Sequence, residues 1–404
     1  MEGSARNLRV LSATVFVVYT GFAFVLPFLP LYLLELGVAD KVAAARWAGL
    51  LIGIAPLLAG LLGPFWGHLG DRYGAKPVIL VALGTSAVFL ALSAGVRNPW
   101  ELLGLRVATG LVGGVGPLSL ALATALAPSS DAGSALGLVQ GAQILAAAAG
   151  PLGGGLLADR MGIRPTFLLT AGLLVFAAVL VGTALEAPRA QGHSRPRNPA
   201  PILGKATLVV VAILFLVNFV GRSLTPILPL QLEGIGVPKD RLSSSTGALI
   251  STYAVAAAFS AVLLGRAARL RSPAVLLAAS LLLGGLFVYP MAGVPSLPPF
   301  LALAAGLGLT SGGSLTLCYT LGGLQAPEHA RGAAYGVFSG AALFGGAVSP
   351  SVAGYLARFD LRGIYYLDTA VFAGVGVFLL LLHHRDPGFW YGGASRAPEE
   401  GVAP

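Results

Sequence analysis

Charge is scarce in this chain, and one short polar cluster, Gly63–Pro77, GPFWGHLGDRYGAKP, is set between two long apolar runs. Asp71, Arg72 and Lys76 gather there, while Gly67, Gly70 and Gly74 supply backbone freedom for a tight, close-packed turn. A carboxylate at Asp71 is placed to accept N–H groups from a following helix and to pair with the neighbouring bases, a contact that can be made and broken. Two cations stand inside apolar runs: Arg106 in LRVATGLVGG, and Arg222, four residues after Asn218 and so on the same helical face. Such a cation is costly in lipid and belongs in a bundle interior or against water. Among the acids, Asp368 alone lies clearly inside an apolar run, with Glu35 and Glu233 at the outer ends of two others. These groups suit proton transfer and reversible ion pairing. The histidines, His68, His193, His329, His383 and His384, fall in connections or at edges, so neither a metal cluster nor a catalytic triad is expected. No GxxxxGK[ST] loop is present, so ATP is not the expected energy source and no cofactor or enzymatic activity is expected.

The elements that must position these groups follow from composition. Of 404 residues 56% are hydrophobic and 10% charged, far from the roughly 25% charged of a soluble domain. The fold class is therefore an all-α, polytopic membrane protein, and the 56 glycines suit close helix approach in lipid. The net charge of +9 comes without a basic block interleaved with aromatics, which argues for loops facing an anionic leaflet and against nucleic acid. The single cysteine, Cys318, excludes an intramolecular disulfide.

Runs of about 20 apolar residues give about twelve spans. The first, from about Val10 to Leu34, is too long for a signal-peptide core and contains Pro27 and Pro30. The next five are Trp47–Trp66, Val78–Val96, Leu102–Leu126, Ala135–Leu157 and Thr166–Leu185. A Pro- and Arg-rich connection follows, and then Leu208–Leu232, Ser244–Leu264, Ala274–Ala292, Phe300–Leu324, Gly332–Leu356 and Tyr365–Leu382. The division is a six-helix bundle at 1–186, a linker at 187–205, a second bundle at 206–384 and a tail at 385–404. Lys and Arg are more frequent in the connections on the side of the termini, Arg72, Lys76, Arg189, Arg195, Arg197 and Lys205 among them. Both termini are accordingly expected in the cytoplasm, with the chain in the inner membrane.

An internal repeat sharpens this. Pro27, Leu29, Pro30, Leu31, Leu33, Gly37 and Val38 recur 199 residues on as Pro226, Leu228, Pro229, Leu230, Leu232, Gly236 and Val237. At the same displacement Gly137, Gly141, Pro151, Gly155 and Leu157 recur as Gly336, Gly340, Pro350, Gly354 and Leu356. Two halves in the same orientation are parallel repeats, which place a substrate site between them near the midplane. Candidates to line it are Tyr19 and Phe22, Gln140 and Gln143, Asn218 and Arg222, and Tyr253, Tyr319 and Phe338. Ser311, Ser314 and Cys318 share a face that reads as interhelical packing.

Gly67-x-Leu69-Gly70-Asp71-Arg72-x-Gly74-x-Lys76 resembles the loop motif between the second and third helices of major facilitator superfamily transporters, with Ala75 where the family usually has a base. Gly141, Gly150, Pro151, Gly154 and Gly155 resemble the antiporter motif of its drug and proton exchangers, and the setting of Arg106 resembles its basic fourth-helix motif, associated there with proton coupling. With LPFLPLYLLELGV, these segments look most like the bacterial twelve-span drug:proton antiporters. The resemblance implies a monomer whose halves rock about a central cavity, exporting small, largely apolar molecules in exchange for protons. In it the Gly67–Lys76 segment is a conformational latch, and Arg106, Asp368, Glu35 and Glu233 are the proton-coupling candidates. A uniporter or importer of a neutral or anionic metabolite shares the same architecture, as does a membrane sensor or scaffold without flux.

Overall fold

A computed structural model of the chain describes residues 2–113, 115–126, 132–186, 204–325, 331–386 and 388–391. The expected linker at 187–205 lies outside them except for its last two residues, as does most of the tail after 385. In the first half the helices are α1 (Glu2–Ala23), α2 (Leu29–Glu35), α3 (Lys41–Leu61), α4 (Gly63–Tyr73), α5 (Ala75–Ser93), α6 (Pro99–Leu111), α7 (Val115–Leu126), α8 (Ala132–Met161) and α9 (Ile163–Ala184). In the second they are α10 (Lys205–Ser223), α11 (Leu228–Gly234), α12 (Leu242–Ala267), α13 (Pro273–Met291), α14 (Leu297–Ser311), α15 (Ser314–Gln325), α16 (Arg331–Leu356) and α17 (Gly363–Arg385).

Eleven helical stretches of the described residues are long and apolar enough to cross a membrane. The expected fourth span is built from α6 and α7 end to end, each too short alone at roughly 1.5 Å per residue. The prolines divide the first and seventh spans: with no N–H at Pro27 and Pro30, or at Pro226 and Pro229, the ladder cannot run on, and α1 passes into α2 as α10 passes into α11. Both pieces end in the same cap. Val38 donates to Leu33 O and Val237 to Leu232 O, around Gly37 at φ 84° and Gly236 at φ 85°, so the repeat legible in the letters is a repeat of backbone geometry.

Buried apolar side chains form two clusters, one drawn from residues 11 to 185, the other from 210 to 390 with Ala45 added. Each half thus has its own core. The end carrying the α2–α3, α8–α9 and α11–α12 connections is called distal here, and the end nearer the chain termini proximal.

The charged cluster differs from expectation. Gly63–Tyr73 is not a tight turn but the helix α4, and only Gly74 takes a left-handed φ, 89°. Buried Trp66 explains it, since its Nε1 donates to Leu111 O at 3.1 Å and anchors the helix on α6. On the same side a Cβ at Gly70 would meet Leu118 of α7 at 2.6 Å, whereas one at Gly67 meets no described atom within 4 Å. The backbone therefore demands glycine at Gly74, while a larger residue at Gly70 would need the Leu118 side chain to shift.

Candidate functional site

The halves meet along two distal seams built from repeat-related residues. In one, a Cβ at Gly247 of α12 would fall on the Pro151 carbonyl of α8, and one at Gly155 on the Ser243 carbonyl. In the other, a Cβ at Gly49 of α3 would fall on the Pro350 carbonyl of α16, and one at Gly354 would lie 2.5 Å from Ala45 O. Backbones this close leave room for hydrogen alone, the packing that small residues permit between helices in lipid. Polar groups finish each seam: Leu152 N–H donates to Ser251 Oγ at 3.2 Å, and Ser351 Oγ to Gly49 O at 3.3 Å. Gly150 and Gly154 face their own half, where a Cβ would meet Ala23 and Phe24. α8 is thereby wedged between α1 and the opposite bundle.

Asp159, one turn beyond Gly155, was not among the residues singled out from sequence. Its two oxygens accept the Ser243 and Ser244 N–H groups at 3.0 and 2.8 Å, so one half caps the first turn of a helix in the other. Lys41 and Glu233 add an ion pair across the same end at 3.0 Å, which is where the structure places that proton-coupling candidate. The signal for Asp159 was an acid closing the glycine motif and a Ser-rich helix start, LSSSTG, without a cap of its own. Because such a cap is worth about 1–2 kcal/mol, Asp159→Ala is expected to weaken distal closure roughly 5- to 30-fold. Alkylation of a cysteine introduced at Ser244, in a chain whose only native cysteine is buried, measures this as faster labelling.

Toward the proximal end the meshing of α8 and α16 is lost, although Gly60 near the end of α3 still faces Leu343 of α16, where a Cβ would lie 2.7 Å away. A Cβ at Gly137, Gly141, Gly336 or Gly340 meets no described atom within 4 Å. Between the halves above this gap lie several expected cavity residues. Tyr19 is 36% exposed although it sits midway along the first span, near the end of α1, and its hydroxyl approaches Gly116 of α7. Arg222 is exposed, runs past Gly346 of α16, and lies within Coulombic reach of Tyr19 and Tyr253. It forms no ion pair among the described residues. Asn218 does not join it, because its Nδ2 donates back to Leu214 O at 3.0 Å. Phe22 and Gln143 are half-buried and Gln140 is exposed toward the proximal end of α8. Tyr319 stacks on Tyr335 at the α15–α16 contact. Phe338 is a correction: it is fully buried, its ring filling the space that a Cβ at Gly322 would need, and belongs to the core.

Arg106 is 5% exposed and does not snorkel; its Nε donates to Leu51 O of α3 at 2.9 Å. Pro56, lacking an N–H for Ile52, loosens the α3 ladder beside that carbonyl. Asp368 is fully buried in the second half. Its Oδ2 accepts the Ser223 hydroxyl at 2.5 Å, and Oδ1 has no partner among the described residues. One turn away, the Tyr365 hydroxyl donates to Gln231 Oε1, and Gln231 Nε2 donates to Met291 O at 2.8 Å. Glu35 is exposed at the distal end near Arg164, apart from Asp368 and Arg106.

Of the expected latch, Lys76 Nζ is bound to Gly182 O and Leu185 O at 3.0 and 2.7 Å, the free carbonyls ending α9. Arg72 is exposed over the Tyr73 ring, and the side chain of Asp71 lies outside the described residues.

The family model described as Major Facilitator Superfamily matches residues 11–238 and 208–399. A protein of Serratia proteamaculans (strain 568) named Multidrug resistance protein MdtG is 33% identical over 384 residues, covering 91% of this chain and 93% of that one. A protein of the same name from Salmonella heidelberg (strain SL476) is 30% identical, with 92% and 93% covered. Among solved structures, a bacterial homolog of the human lysosomal transporter Spinster, in an inward-facing and occupied conformation, superposes with a TM-score of 0.72 at 17% identity, covering 95% of each chain. A D-xylose-proton symporter does so at 0.71 and 16%, covering 92% of this chain and 96% of that one.

Proposed function

This chain belongs to the major facilitator superfamily, and we propose that it exports small, largely apolar molecules of drug type across the inner membrane by alternating access, in exchange for protons. The observation that carries the reading is the asymmetry of one repeated motif. Its distal glycines and prolines, Gly155 with Pro151 and Gly354 with Pro350, are locked against the opposite half, while its proximal glycines, Gly141 and Gly340, face open space. A structure closed at one end by contacts whose counterparts at the other stand ready to mesh is one half of a rocking cycle. The excess of Lys and Arg on the proximal side makes that side cytoplasmic, so the cavity of Tyr19, Arg222 and Tyr253 opens inward. The relatives' shared name, multidrug resistance protein, supports export as its task.

In this reading Asp368 carries the coupling proton and Arg106 positions α6 against α3. Asp71, Arg72 and Lys76 latch the cytoplasmic end when the distal seams open. The test is proton flux in proteoliposomes loaded with a pH dye, on adding lipophilic cations, neutral drugs and organic anions in turn. Proton movement evoked by a drug and at least tenfold weaker in Asp71→Asn is expected; substrate uptake with no proton movement would exclude exchange.

A further inference from the structure

We propose that the second half carries a side pocket, keyed by Gly221, that takes a small uncharged ring of the transported molecule; the proposal rests on the transport reading above. The cavity measures about 100 Å³ and is walled by Gly221, Leu249, Tyr253, Phe300, Leu307 and Phe372, from α10, α12, α14 and α17. It lies inside one bundle, apart from the seams between the halves. No charged side chain lines it. Its polar groups are few: Thr225, and Tyr253 beside Ser311, whose Oγ already donates to Leu307 O at 2.8 Å. A trapped water needs two to four polar partners, whereas an apolar cavity of ~150 Å³ takes up benzene. The present space fits the second kind of guest.

The repeat gives an independent argument. In the register fixed by Pro27 with Pro226, the first-half counterpart of Gly221 is Phe22 and that of Thr225 is Leu26. Phe22 packs its ring on the first-half core, whereas a Cβ at Gly221 meets no described atom within 4 Å. One half supplies its own ring where the other leaves room for one. Access comes from the space between the halves: Tyr253 lines the pocket and lies within Coulombic reach of Arg222, which is in turn within Coulombic reach of Tyr19 of the first half.

The experiment is ¹⁹F NMR of fluorobenzene titrated into the full-length protein in lipid nanodiscs, with Gly221→Ala, Gly221→Leu and Gly221→Phe. Val88→Phe, on an exposed face of α5, is the control. A saturable bound signal is expected for the native chain and the control. Affinity should fall as the residue at 221 grows, by at least tenfold in Gly221→Phe. Should that variant fail to assemble, Gly221→Leu carries the test. Partition into lipid only, with no signal beyond that of empty nanodiscs, would overturn the pocket, as would unchanged binding in folded Gly221→Leu. Because binding is read without flux, saturable binding in a chain that moves no protons would spare the pocket and remove the exchange reading.

Discussion

Gly247→Val is expected to abolish transport by preventing distal closure. Its Cβ would clash with the Pro151 carbonyl oxygen and stand 2.7 Å from the carbonyl carbon and 3.0 Å from Leu152 Cα, all backbone atoms that no rotamer change can move. Ordinary overpacking, where side chains can yield, costs about 1–3 kcal/mol. At about 3 kcal/mol the distal-closed state loses about two orders of magnitude in population. The check is the distance between spin labels on cysteines introduced at Val38 and Val237, which should lengthen as flux falls at least tenfold. Gly141→Leu is the mirror experiment: with no described atom within 4 Å of its Cβ, it should leave that distance unchanged and lose flux because the proximal end cannot close. A folded Gly247→Val protein with native distance and native flux would refute the seam's role.

Asp368→Asn is expected to uncouple transport from protons while leaving the fold intact or firmer. The carboxyl makes one hydrogen bond, from Ser223, and no ion pair among the described residues, so it gives the core nothing that an asparagine oxygen accepting the same hydroxyl would not. Buried acids kept without such a structural return mark function. The melting temperature should stay level or rise, whereas drug-evoked proton flux should fall by about two orders of magnitude, with drug binding retained. Loss of folding in place of loss of flux would make Asp368 a structural residue. Native proton flux would pass the coupling role to Glu233, whose ion pair with Lys41 already ties it to the distal gate.

Helix content, the parallel repeat and the proline breaks were legible in the sequence because each is local. Twenty apolar residues must satisfy their backbone groups within one helix in lipid, and Pro cannot donate wherever it stands. The recurrence of Pro27, Gly37 and Val38 at Pro226, Gly236 and Val237 therefore determined the shared α1–α2 and α10–α11 geometry, down to the same cap. The small residues of Gly150–Gly155 were equally plain as a packing face. Which neighbour each glycine meets was not, because that depends on how two bundles dock: Gly154 turned to Phe24 of its own half, Gly155 to Ser243 of the other, and Gly141 to neither. Tertiary packing within each half decided that Gly63–Tyr73 is helical, through the Trp66 bond to Leu111, and that Phe338 belongs to the core. Docking of the halves decided that Asp159 closes a helix more than eighty residues away in sequence. Composition and local hydrogen bonding fix what each segment is; the seam between halves is fixed by which backbones come close enough to exclude a Cβ, and that is a property of the tertiary structure alone.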